Sequence, residues 1–146
     1  MTTIDFYFNV DDKHDFVRRL CAKALAARAR LMLWAEDREV CQRLSRLLWS
    51  VPATGFVPHV ASHDPLAPVT PIILDCDASR LPHDDVLVNL RREVPPFFSR
   101  FRRLIEIVTS ADEDDAREAR ARFRFYRDRG YELRTHDMAR NADAPS

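Results

Sequence analysis

Glycine is nearly absent from this chain: its 146 residues contain Gly55 and Gly130 and no other. A loop that cradles phosphate needs several glycines between a strand and a helix, so that backbone N–H groups can reach the anion. Neither GxGxxG nor GxxxxGK[ST] occurs. The turn after the first β-like run reads Asn9-Val10-Asp11-Asp12-Lys13, and its acids repel phosphate. A classical dinucleotide or P-loop site is therefore excluded. Charge excess is missing too. The 23 basic and 23 acidic side chains cancel, which argues against nonspecific duplex-DNA binding and leaves room for a local basic patch. Cysteine is scarce and scattered, at Cys21, Cys41 and Cys76 with no CxxC, so reduced thiols are expected rather than a disulfide framework. No apolar run approaches the roughly 20 residues of a membrane span. The N-terminal residues carry no basic leader, so no signal peptide and a cytoplasmic location are expected.

Groupings that support catalysis are also lacking. Asp75 and Asp77 flank Cys76 where a strand should end, and a loop-capping role outweighs a nuclease-like one. His59, His63 and Asp64 have helical metal-ligand spacing but sit among prolines. Ser45, Ser50 and Ser99 have no nucleophile elbow. His14 and His136 read as surface residues. The expectation is no catalytic residue, no cofactor and no metal.

The residues present alternate in character along the chain. Residues 4–9 are β-rich. Asp11 or Asp12 can cap a helix whose stripe is Phe16, Val17, Leu20, Cys21, Ala24 and Leu25. Residues 30–35 form an apolar run suited to a buried parallel strand. Residues 36–49 read as a second helix with Val40, Leu44, Leu47 and Leu48 inward. Five prolines within residues 50–71 exclude a helix or a central strand there. Residues 71–76 and 85–90 read as strands, 95–101 as the start of a helix, 104–109 as a strand and 131–135 as a last short strand. The predicted fold is a single-domain α/β unit over residues 1–137, a mainly parallel sheet flanked by helices, with nucleotide-binding-like topology and no phosphate loop. Residues 138–146 read as a flexible tail.

The richest segment is residues 110–130, an expected helix stopped by Gly130, with a capping box from Ser110 and Glu113. At 3.6 residues per turn, Arg117, Arg120, Arg124 and Arg127 fall within an arc of roughly 80°. Ion pairs of Glu113 with Arg117, Glu118 with Arg122 and Arg124 with Asp128 would explain part of this charge. Arg120 and Arg127 have no acid three or four residues away. Ala119, Phe123 and Tyr126 lie on the adjacent arc and should pack on the sheet. A groove between the arginines and that aromatic edge suits an acidic peptide with a hydrophobic end, since guanidinium forks bind carboxylates bidentately. Trp49 and Phe56, set among prolines, are either loop anchors or partner anchors.

Phe6-Tyr7, Glu36-Asp37, Leu48-Trp49, Pro52, Phe56-Val57-Pro58-His59, residues 87–91, Arg120, residues 122–127 and Gly130 stand in an order and spacing that resembles the chi-subunit family of the bacterial DNA polymerase III holoenzyme. The likeness spans about residues 3–135. It implies a non-enzymatic replication adaptor. Such a subunit binds the acidic C-terminal tail of single-stranded-DNA-binding protein and joins the clamp loader through the psi subunit. By position, Arg120, Phe123 and Arg124 match the tail-binding residues, with Arg117 and Arg127 beside them. Trp49, Pro52, Phe56, Val57 and Pro58 fall in the region that holds psi or a competing helicase. Two positions depart from the pattern: a basic residue is replaced by Ala116, and a tyrosine by Phe123. Nucleic acid would be contacted mainly indirectly and no membrane is involved. Direct single-stranded nucleic-acid binding by arginine and aromatic stacking stays open as a second reading.

Overall fold

The computed structural model describes residues 2–49, 59–62, 64–67 and 70–139. Seven strands form one sheet: β1 (Thr3–Val10), β2 (Leu31–Trp34), β3 (His59–Val60), β4 (Ile72–Asp75), β5 (Val86–Asn89), β6 (Arg103–Thr109) and β7 (Glu132–Asp137). Their order is β3-β4-β2-β5-β6-β1-β7, and every pairing is parallel. Among the described residues, three α-helices flank the sheet: α1 (Lys13–Ala26), α2 (Arg38–Trp49) and α3 (Glu113–Asp128). The single-domain parallel α/β architecture expected from the alternation of periods is the one observed.

The core has two layers, one on each face of the sheet. On one face α1 and α2 bury Phe16, Val17, Leu20, Cys21, Ala24, Leu44 and Leu48 against Tyr7, Leu33, Leu74, Val88 and Ile105. On the other, α3 contributes Ala119 and Tyr126, which pack with Phe6, Met32, Leu87 and Leu104. The central strands β2, β4 and β5 are buried along their whole length, which is why they read as short apolar runs, closed by Asp75 in β4 and Asn89 in β5, rather than alternating ones.

Two local expectations are corrected. The helix expected from residue 95 is only a 3-10 turn, Phe98–Arg100. Phe98 and Phe101 are both buried in the core on the α3 face, and Phe101 is already extended as the chain enters β6. The cap of α3 is Asp112, which accepts from the N–H groups of Asp114 and Asp115, not Ser110, whose hydroxyl donates to Val10 O. Asp112 stands directly before the first helical residue, two positions closer than Ser110, and wins the N–H groups. At the other end Gly130 takes φ +81° and donates to Arg127 O, a left-handed stop that favours glycine. Met138 is buried and its N–H donates to Phe8 O, so the chain stays tied to β1 just past β7. Residues 140–146 lie outside the described residues.

Two buried ion clusters hold the sheet and helix together. Asp5 on β1 is fully buried and accepts from Arg103 Nε at 2.6 Å, Arg134 Nη2 at 3.0 Å and His136 Nε2 at 2.9 Å. It thereby links β6, β1 and β7. His136 is not a free surface residue: its ring also packs edge-on against Tyr7 at 4.4 Å. Burial pushes the Asp5 carboxyl up. The bonds from His136, Arg134 and Arg103 outweigh it and hold the carboxyl below its ordinary value. The second cluster is Glu106 on β6, fully buried, which accepts from Arg122 Nε at 3.1 Å, Tyr126 Oη at 2.6 Å and Asn89 Nδ2 at 3.1 Å. Burial also pushes the Tyr126 hydroxyl up, which keeps it a donor. Arg122 therefore does not pair with Glu118.

Removing one partner of a buried pair strands the other charge, so Arg122→Ala should cost about 3–5 kcal/mol in urea unfolding. A loss of only about 1 kcal/mol, the scale of an exposed pair, would show that Glu106 is solvated instead. For Asp5 the folded pKa is depressed, so its stabilisation is full above the ordinary carboxylate value, about pH 4, and is lost as pH falls through the lower folded value. Thermal melts from pH 7 downward should show this acid limb, and Asp5→Asn should flatten it while lowering the melting temperature at pH 7.

Candidate functional site: an arginine-rimmed groove beside α3

The position of α3 is set from below and from one side. Asp115 is buried and accepts from both the N–H and the hydroxyl of Thr109, at 2.9 and 3.0 Å. Arg92 reaches from the β5–β6 connection to Asp112 at 2.9 Å and Glu118 at 3.1 Å. Arg122 donates to Arg92 O at 2.6 Å as well as to Glu106. With these residues fixed inward or toward β5, helical geometry turns the opposite flank outward. Arg117, Arg120, Arg124 and Arg127 are all exposed there, as the spacing predicts.

Their electrostatic states differ. Arg117 pairs with Asp114 at 2.7 Å, rather than with Glu113, and both side chains are more than half exposed. Arg127 bonds the adjacent Asp128 through Nε and Nη2 at 3.3 and 3.2 Å, which draws that acid away from Arg124. Arg120 and Arg124 have no hydrogen-bond or ion-pair partner among the described residues. The expectation that Arg127 would lack an acid fails because the side chain of the next residue, Asp128, meets it at the end of α3.

A groove of about 320 Å³ lies between α3 and the β1–β7 side of the sheet. Phe6, Phe8, Val108 and Ala119 supply apolar lining, and Arg120, Phe123, Ser110 and Thr135 also border it. Phe123 packs edge-on to Phe6 at 5.3 Å. Ala116 lines the groove too, and the absence of a long side chain there leaves space. Asn9, near the end of β1, also lines the groove. Asn9 adopts φ +60° and the β1–β6 register shifts between Tyr7 and Val10, a bulge-like irregularity after which pairing resumes at Val10 and Thr109. The helices that follow β1 and β6 pack on opposite faces of the sheet. Such a switch point is where open α/β sheets bind ligands.

Of the predicted residues, the structure brings Arg120 and Phe123 into the groove and leaves Arg117, Arg124 and Arg127 on the exposed stripe next to it. Phe8, Asn9, Val108 and Thr135 were missed as lining. The one signal was alternation in β1, which puts Phe6 and Phe8 on one face. Trp49 closes α2. Pro52, Phe56, Val57 and Pro58 lie outside the described residues, as does His63.

The other sites weighed from sequence have structural partners. Asp75 accepts from Ser62 N–H, Ser62 Oγ and Asp77 N–H at 2.9, 2.6 and 2.9 Å, a loop-tying role. His59 meets Ser45 Oγ at 2.8 Å. Burial pushes the Cys21 and Cys41 thiols up to about 12, far from the thiolate needed for nucleophilic attack. Among the described residues no His, Cys, Asp and Glu group has the makings of a metal site, and no helix is long and apolar enough to cross a membrane.

The fold and the groove together define a parallel α/β domain whose ligand crevice carries no phosphate loop and instead offers an apolar slot with a cationic rim. A family model described as DNA polymerase III chi subunit, HolC, matches residues 1–134. The DNA polymerase III subunit chi of Pseudomonas aeruginosa is 34% identical over 146 residues, covering 96% of this chain and 99% of that protein. The subunit chi of Escherichia coli K12 is 28% identical over 136 residues, covering 92% and 89%. That of Haemophilus influenzae is 29% identical over 122 residues, covering 82% and 83%. The chain belongs to the DNA polymerase III chi-subunit family, and is thus an accessory subunit of DNA replication.

Proposed function

We propose that this subunit is a non-catalytic adaptor. Its α3 groove takes the acidic C-terminal tail of single-stranded-DNA-binding protein, and the region from Trp49 through Pro52, Phe56, Val57 and Pro58 takes the psi subunit of the clamp loader. A helicase would compete for that second surface. The observation that carries the reading is Arg120, whose unpaired guanidinium borders an apolar groove with Phe6, Phe8 and Phe123. An acidic peptide that ends in a hydrophobic residue has the matching chemistry: its apolar end leaves water for the aromatic slot while its carboxylates meet guanidinium N–H groups. Phe123 offers a ring without the hydroxyl of a tyrosine, so its contribution is apolar. Joining two modest affinities on one small domain raises local concentration, which is how an adaptor bridges a coated strand and a clamp loader. Such a protein acts in the cytoplasm with the replication machinery and needs no cofactor. Direct single-stranded nucleic-acid binding is the weaker reading, because the aromatic faces at α3 are packed: Tyr126 is fully buried and Phe123 lies against Phe6.

Calorimetry with a synthetic tail peptide tests the groove. Arg120→Ala should weaken binding by about 1–3 kcal/mol, the range for charge-assisted hydrogen bonds, and wild-type affinity should fall as salt rises. Unchanged affinity in the variant would remove Arg120 from the site. For the second surface, Phe56→Ala should keep tail affinity and lose psi in co-purification. Loss of both activities together would mean unfolding rather than a separate surface.

A further inference from the structure

The four stripe arginines are not equivalent, and the inequality has a pattern. The two middle ones, Arg120 and Arg124, are unpaired among the described residues. The two end ones are held by the helix itself, Arg117 by Asp114 at 2.7 Å and Arg127 by Asp128 at 3.2 Å. We infer that Asp114 and Asp128 are internal competitors for the stripe, so that the full row of guanidiniums opens only to a ligand bearing several carboxylates. This deepens the adaptor reading and rests on it.

The competing bonds are exposed. The side chains of Arg117 and Asp114 are 68% and 60% accessible, and those of Arg127 and Asp128 58% and 66%. Exposed pairs are weak and exchange readily, so an incoming carboxylate can displace either aspartate. A ligand with one carboxylate gains its contact from the free middle pair and leaves the ends closed. Arg117 and Arg127 are ten residues apart, about 15 Å along the helix axis. A ligand that engages both ends must span that distance, about five extended residues at roughly 3.3 Å each. The stripe therefore selects for length and number of acids, with a low, tunable threshold at each end. The substrate class it fits is an extended polyacidic peptide, in preference to a single terminal carboxylate.

The test uses the full chain and two synthetic peptides of equal length with the same hydrophobic C-terminal residue. One carries a run of aspartates; the other carries one aspartate, with serines replacing the rest. The double variant Asp114→Asn, Asp128→Asn should bind the polyacidic peptide about threefold to tenfold more tightly than wild type, as two exposed pairs allow. It should bind the one-aspartate peptide nearly unchanged. Glu113→Gln is the control: it removes an acid from the same exposed side of α3 without releasing a paired arginine, and should give a smaller gain. Equal gains for the two peptides, or a Glu113→Gln gain per charge equal to that of the double variant, would overturn the inference by reducing it to net charge. The two proposals fail differently. If Arg120→Ala weakens polyacidic binding but the double variant changes nothing, only the competitor role falls. If wild type does not bind the polyacidic peptide, the adaptor reading falls and the competitor role with it.

Discussion

Glu106 sits on β6 with no solvent exposure, and Arg122 reaches it from α3 at 3.1 Å while Tyr126 donates to its other oxygen at 2.6 Å. Two α3 side chains four residues apart therefore share one carboxylate, which fixes the helix in rotation as well as in position. Once that rotation is fixed, everything on the far side of α3 follows from a 100° step per residue. The arginines at 117, 120, 124 and 127 have nowhere to go but water, and Phe123 is left at the edge of the sheet. A buried pair of this kind is weak evidence for stability compared with an apolar replacement. Its contribution here is orientation: it determines which arginine is structural and which are available.

The groove is a product of three elements with different tasks. The helix supplies charge, β1 supplies the aromatic floor with Phe6 and Phe8, and β6 closes the slot with Val108 and Thr109. In a nucleotide-binding sheet the same crevice is occupied by a glycine turn that brings backbone close to phosphate. Here no glycine lines it, and among the described residues its one cationic lining side chain is Arg120 from the outer flank of α3. The cationic character of this rim comes from a side chain rather than from backbone amides, so a fold poor in glycine still has it.

Much of this was legible in one dimension. The apolar run at β2 marked a buried parallel strand, the runs at β4 and β5 marked strands, and the stripe in α1 marked its inward side. Arg120 and Phe123 were legible as neighbours because helical spacing is enough to place them. What misled was pairing. Glu118 and Arg122 have ideal i,i+4 spacing, yet Glu118 bonds Arg92 and Arg122 turns inward. His136 read as a lone surface histidine because its partner, Asp5, is 131 residues away. The helix expected after Pro95 shrank to one turn because aromatic burial outweighed local propensity.

The sequence alone determined the periods, the missing phosphate loop and the charge on one helical arc, because these depend on neighbours a few residues apart. Tertiary structure alone decided which arginine is buried, which acids hold the others, and that a slot opens between α3 and β1. Those outcomes depend on which distant side chains share a desolvated space, and spacing along the chain carries no information about that.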